Sequence, residues 1–165
     1  MQIEGHGIAV ELPDGWEGSI DRRPEEAQAS ASGTSEAAGA GAQVDAEHPI
    51  THLANFPLPT NRGDYGSGAV ETMSSTDVLV CLLEHGSEDV GTALFASEGI
   101  PRLTPAQFSP AAMQRTVEGL SGTQAFFTEN GRAFCLYAVL GSHRDRRTLV
   151  PVINDLLDTL HIAPA

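Results

Sequence analysis

Apolar and polar positions alternate over Gly7-Ile8-Ala9-Val10-Glu11-Leu12, with β-branched residues among them, and this pattern predicts a strand. Pro13-Asp14-Gly15 follows as a turn, because Pro fixes φ and Gly supplies a positive one. Trp16 to Arg22 then reads as a second strand that pairs with the first in a hairpin. Ile50 to Leu58 is expected to be a third strand, ended by Pro57 and Pro59. Gly66 to Met73 is expected to form a short helix. Asp77 to His85 contains Val78-Leu79-Val80-Cys81-Leu82-Leu83, a run with no polar interruption. An apolar strand without alternation is buried on both faces, so this one belongs in the middle of a sheet.

Gly86 to Gln114 reads mostly as loop, punctuated by Pro101, Pro105 and Pro110, with a helical turn beginning at Ser109-Pro110 and running to Arg115. Thr123 to Thr128 and Arg132 to Leu140 are strands joined by Glu129-Asn130-Gly131, and Asn-Gly between apolar runs is the strongest short hairpin signal. Gly141-Ser142 breaks the second strand. Leu149, Ile153, Leu156, Leu157 and Leu160 then fall on one stripe of an amphipathic helix. Pro151 belongs in or near its first turn, where a missing N–H costs little. That favours Thr148 as the N-cap, with Asp145 as the alternative if the helix tolerates a kink. No internal repeat is present. The fold class expected is α+β: one antiparallel sheet with helices packed on it and a C-terminal amphipathic helix.

Composition narrows this reading. The 165 residues suit one domain. Within it, residues 24–48 form a low-complexity stretch of Ala, Gly, Ser, Gln and acids whose one large aliphatic side chain is Val44. Such a segment buries too little apolar area to offset a chain entropy of roughly 1–2 kcal/mol per residue, so it is expected to be a flexible loop inserted between strands. Cys81 and Cys135 sit inside apolar runs and read as small buried hydrophobes. A disulfide between their strands is the less favoured alternative, since nothing indicates an oxidising compartment. The first residues lack the basic and apolar regions of a signal peptide, and the longest apolar runs are far below the ~20 residues that span a bilayer. A cytoplasmic location is expected.

The net charge is −13, and every one of the nine basic residues is arginine. An acidic surface repels nucleic acid and anionic membranes, which argues against both as partners. The use of arginine without lysine, beside abundant Ala and Gly, suggests a coding sequence rich in G and C.

Two segments carry a resemblance. Gly-Ile-Ala-Val-Glu-Leu-Pro-Asp-Gly-Trp at 7–16 resembles the opening strand, Pro-x-Gly-Trp turn and hairpin of the Mog/PsbP-like fold family. Gly-Arg-Ala-Phe-Cys-Leu-Tyr-Ala-Val-Leu-Gly at 131–141, followed by a helix, resembles its closing strand and helix. The chain is similar to small actinobacterial LpqN-type proteins of that family, but lacks their signal peptide and lipobox cysteine. The resemblance implies a PsbP-like α/β sandwich and a binding role, since a photosystem subunit, a Ran-binding protein and secretion-associated chaperones share the fold. It carries no functional residue across.

The candidate chemistry fails on spacing. His48 and His52 form an H-x-x-x-H pair, but four residues of strand span ~13 Å, too far for one ion. Gly63-Asp64-Tyr65-Gly66-Ser67-Gly68 is glycine-rich, yet a G-x-G-x-x-G count from Gly66 places Glu71 at the third glycine, and a P-loop needs the lysine this chain lacks. Arg62-Gly63-Asp64 spells an adhesion tripeptide that recurs by chance. Gly119-Leu120-Ser121-Gly122 precedes a strand instead of the helix a nucleophile elbow requires. The cysteines lie among apolar residues, unlike an activated thiolate. No metal, cofactor or catalytic residue is therefore expected.

The expectation is a non-enzymatic interaction or adaptor domain with a protein partner, self-association remaining open. Arg144, Arg146 and Arg147 are candidate partner contacts, against the alternative of salt bridges to nearby acids. Phe56 and Leu58, in Phe56-Pro57-Leu58-Pro59, face either a partner or the core. Trp16 reads as packing beneath the first hairpin. Two other functions remain: a secretion-related chaperone that covers an apolar segment, and a small-molecule or hydrolytic site, for which a cleft joining His, acid and Ser would speak.

Overall fold

The computed structural model describes residues 1–22 and 48–165. The loop expected at 24–48 therefore lies, His48 apart, outside the described residues. The remaining chain has an α+β architecture built on two antiparallel sheets. Strands β1 (Gln2–Gly5), β2 (Ile8–Glu11) and β8 (His161–Ile162) form the smaller sheet in the order β1-β2-β8. Strands β3 (Glu17–Arg22), β4 (Pro49–Ala54), β5 (Val78–Glu84), β6 (Ser121–Glu129) and β7 (Arg132–Leu140) form the larger in the order β3-β4-β5-β7-β6. Among the described residues, helices α1 (Ser67–Val70) and α2 (Arg146–Leu157) accompany them.

The unbroken run Val78–Leu83 occupies the centre of the larger sheet and feeds a core on each face. Val78, Val80 and Leu82 pack with Leu149, Ile153 and Leu156 of α2 and with Ile8 and Val10 of the smaller sheet. Leu79, Cys81 and Leu83 point the other way, to Phe56, Val70, Met113 and Tyr137. Each fully buried aliphatic side chain contributes on the order of 1.5–3 kcal/mol, so both layers are needed to hold β5 in place. The β6–β7 hairpin forms through Asn130 and Gly131, both at positive φ (50° and 76°), as a two-residue turn matching strand twist requires.

The opening hairpin differs from expectation. β2 pairs with β1 on one side and β8 on the other, so it has no free edge for β3. His6 and Gly7, at φ 54° and 76°, make the two-residue turn that joins β1 to β2. The Pro13-Asp14-Gly15 turn does form, with the Trp16 N–H donating to the Pro13 carbonyl at 3.1 Å, but it sends the chain from one sheet to the other. β3 then pairs with β4. Trp16 packs against the α2-side core.

The last helix also departs in detail. Its N-cap is Asp145 and Thr148 lies inside it, which places Pro151 in the second turn instead of the first. The missing N–H leaves the Arg147 carbonyl without its helical partner. Both Arg147 and Pro151 are exposed residues. The helix is not the final element, because β8 follows and pairs Ile162 with Ile8. Gly86 to Gln114 contains short 3-10 turns, including Pro110–Ala112 with Ser109 accepting from the Ala111 N–H as its cap.

Candidate functional site

A group of polar side chains converges on one face of β3 and β4. Antiparallel register sets Ser19 opposite His52, His52 opposite Cys81 and Cys81 opposite Tyr137, so these side chains share one row across the sheet. After β4 the chain folds back over that row as a strap, Phe56 to Tyr65. Phe56, Leu58 and Tyr65 anchor the strap in the second core. Polar side chains pin the rest: Glu17 accepts from the Leu58 N–H at 2.7 Å.

Arg62 is the centre of the arrangement. Its Nε donates to His52 Nδ1 at 3.1 Å, one terminal nitrogen to the Pro59 carbonyl at 2.6 Å, and the other to Ser19 Oγ at 2.6 Å. The same second nitrogen lies 4.0 Å from the Asp21 carboxylate. His52 Nε2 then donates to the Asp64 carbonyl at 2.8 Å, which fixes the tautomer. Burial lowers the His52 pKa, and neighbouring Arg62 works in the same direction. The ring is therefore neutral, with both nitrogens engaged. Two open clefts flank Arg62. One, of about 400 Å³, is lined by residues including Asp21, Arg22, His52, Thr60 and Asp64. The other, of about 270 Å³, is lined by residues including Met1, Trp16, Glu17 and Leu58.

His, acid and Ser do come together around Arg62, with His52 and Asp21 on the larger cleft and Ser19 on the smaller, but their connections are wrong for hydrolysis. A general base must reach the nucleophile's proton directly or through one water. Arg62 occupies that path, since it donates both to Ser19 Oγ and to the His52 lone pair. The group bonded to the far side of His52 is a backbone carbonyl and not a carboxylate. The neighbouring thiols are equally unsuited: burial pushes Cys135 up to about 11 and Cys81 higher still, so neither is a thiolate at neutral pH. Among the described residues no three His, Cys, Asp or Glu side chains are grouped to hold a metal ion, and His48 is not brought to His52 in such a group.

The remaining candidates separate. Phe56 is 7% exposed and belongs to the core, while Leu58 is half-buried beside it. The glycines at 63–68 serve packing: a Cβ on Gly66 would meet Leu79, and one on Gly68 would collide with the Asn61 carbonyl. Arg144 and Arg147 are exposed, and Arg146 donates to the His143 carbonyl at 2.9 Å. Sequence reading singled out His52, Arg62 and Asp64 separately and missed Ser19 and Asp21. What unites them is the β3–β4 register, which no local spacing encodes. Against known protein families, curated proteins and solved structures, the chain shows no match.

Proposed function

We propose that the chain is a non-catalytic interaction domain that docks an acidic segment of a protein partner on Arg144, Arg146 and Arg147. The observation that carries this reading is charge left unspent. The chain has 22 acidic residues to nine arginines, yet among the described residues none of these three arginines forms an ion pair. Arg102 and Arg115, by contrast, pair with Asp158 and Glu71. The three also crowd the N-terminal end of α2, where each cation costs about 0.3–1 kcal/mol against the helix dipole. An acidic partner would reverse that cost.

The inert state of the Arg62 cleft supports binding over turnover. The resemblance at 7–16 and 131–141 supports the finer picture of a PsbP-like adaptor. The chaperone reading has less support, because the large hydrophobic side chains exposed among the described residues are Met1 and Leu94, which do not make a groove. No described helix is long and apolar enough to cross a membrane.

The test compares the wild-type protein with the Arg144→Glu/Arg147→Glu variant as baits in native lysate at two salt concentrations. A partner held by the wild type, released by salt and lost to the variant is the expected result. Equal retention by both baits, or no retention, would overturn the proposal.

A further inference from the structure

We propose that the Phe56–Tyr65 strap is a proton-operated latch, closed while His52 is neutral and released from Arg62 when His52 takes up a proton. The geometry makes the bond exclusive. Arg62 Nε–H donates to His52 Nδ1 at 3.1 Å, and only a ring nitrogen without a proton can accept it. Protonation at Nδ1 turns the acceptor into a donor and sets two cations face to face. The Nε2–H bond to the Asp64 carbonyl survives either way. The Arg62 side of the strap therefore opens, while the Asp64 side stays.

Losing that one contact loosens the others, because the same guanidinium holds Pro59 and Ser19. Leu58, at the start of this stretch, lies with Trp16 and Arg62 around the 270 Å³ cleft. Release merges the space on either side of Arg62 along β3.

Several titratable or charged groups bear on His52. Asp21 faces it from β3, Arg62 and Asp64 from the strap, and Cys81 from β5, with Arg22 on the cleft wall. Burial is the largest influence and opposes protonation, as does Arg62. The Asp64 carbonyl and the Asp64 and Asp21 carboxylates favour it without reversing the direction. The pKa in the closed state thus lies below the ordinary 6.5. The closed form has its full advantage above 6.5 and loses it as pH falls towards the closed-state value. Each unit of lowering corresponds to about a tenfold gain in the open-to-closed ratio.

Trp16 is the chain's one tryptophan and lines the cleft that the strap covers, so it reports on opening. The experiment measures acrylamide quenching of Trp16 from pH 8 to pH 5 beside an NMR titration of the His52 ring nitrogens. Quenching is expected to rise along the same curve as the His52 signals, with a midpoint below 6.5. It is expected to be flat in His52→Asn, which keeps an acceptor for Arg62 and cannot titrate, and high at every pH in Arg62→Met. Should either variant fail to fold, agreement of the two wild-type curves decides. A His52 that titrates at or above 6.5, quenching that ignores the His52 transition, or a rise that persists in folded His52→Asn would each overturn the latch.

Discussion

Arg132 and Glu84 meet as a two-pronged ion pair, Nε to Oε2 at 2.9 Å and a terminal nitrogen to Oε1 at 2.6 Å, with side chains 8% and 9% exposed. The guanidinium also donates to the carbonyls of His6 at 2.9 Å and Ala163 at 3.1 Å, and stands 5.4 Å from the centre of the Phe134 ring. One side chain therefore ties the β5–β7 part of the larger sheet to the β1–β2 turn and the tail beyond β8. Gly7 permits this, because a Cβ there would meet the guanidinium at 2.7 Å.

Removing one member of this pair leaves a buried charge alone. Glu84→Ala is expected to lower the unfolding free energy by about 3–5 kcal/mol, measured by urea denaturation. A paired Glu84→Leu/Arg132→Met replacement is expected to lose less than Glu84→Ala does, because neither charge is stranded. A loss of less than a kilocalorie for Glu84→Ala would show that the pair does not join the sheets.

Asn154 provides a second tie, on α2. Its side-chain carbonyl accepts from the Leu103 N–H and its amide donates to the Leu103 carbonyl, both at 2.9 Å and both buried. This gives an irregular loop a strand-like pair of bonds. Asn154→Leu strands two backbone groups at about 1–3 kcal/mol each. The predicted result is faster amide exchange at Leu103 together with a lowered melting temperature. Unchanged exchange at Leu103 would contradict it.

These ties explain which parts of the fold were legible in sequence. The β6–β7 hairpin, the central β5 and the apolar stripe of α2 announce themselves within a few residues, through Asn130-Gly131, an unbroken apolar run and 3.6-residue spacing. The partner of β3 is not legible because Pro13-Asp14-Gly15 specifies a turn without specifying what pairs beyond it. β2 instead takes Ile162, 154 positions later, as a neighbour. The His52–Arg62–Ser19 cluster failed for the same reason, since its parts are local but its geometry depends on which strands lie side by side. Phe56 and Arg147 show the limit at the surface: an apolar residue between prolines and an arginine before a helix each fit two environments until the neighbours are placed.

Glycine substitutions separate backbone strain from collision. Gly131 stands at φ 76° with open space where a Cβ would stand, so Gly131→Ala meets only the left-handed penalty of about 1–2 kcal/mol. Gly141 has an ordinary φ, but a Cβ there would run into the Ser74 carbonyl and approach the Asp77 carbonyl at 3.1 Å. Gly141→Ala is expected to be the more damaging by denaturation midpoint, despite its easier backbone angles. The opposite ranking would mean that the 74–77 turn yields freely.

The cysteines give the last prediction, on chemistry. Cys135 lies opposite Leu83 and Cys81 opposite Tyr137, so the two thiols are diagonal neighbours on adjacent strands, and both are free. Diagonal neighbours stand about 7–8 Å apart with their Cβ atoms somewhat closer, against a Cβ separation of about 3.5–4.5 Å in a disulfide. Burial also keeps both protonated, Cys135 with a pKa of about 11 and Cys81 above it. Native protein at pH 8 is therefore expected to resist a thiol reagent at both positions and to keep both thiols under mild oxidation, while denatured protein labels twice. Intact mass after each treatment checks this, and rapid native labelling, or loss of two hydrogens on oxidation, would show that the β5–β7 layer opens far more readily than its buried packing requires.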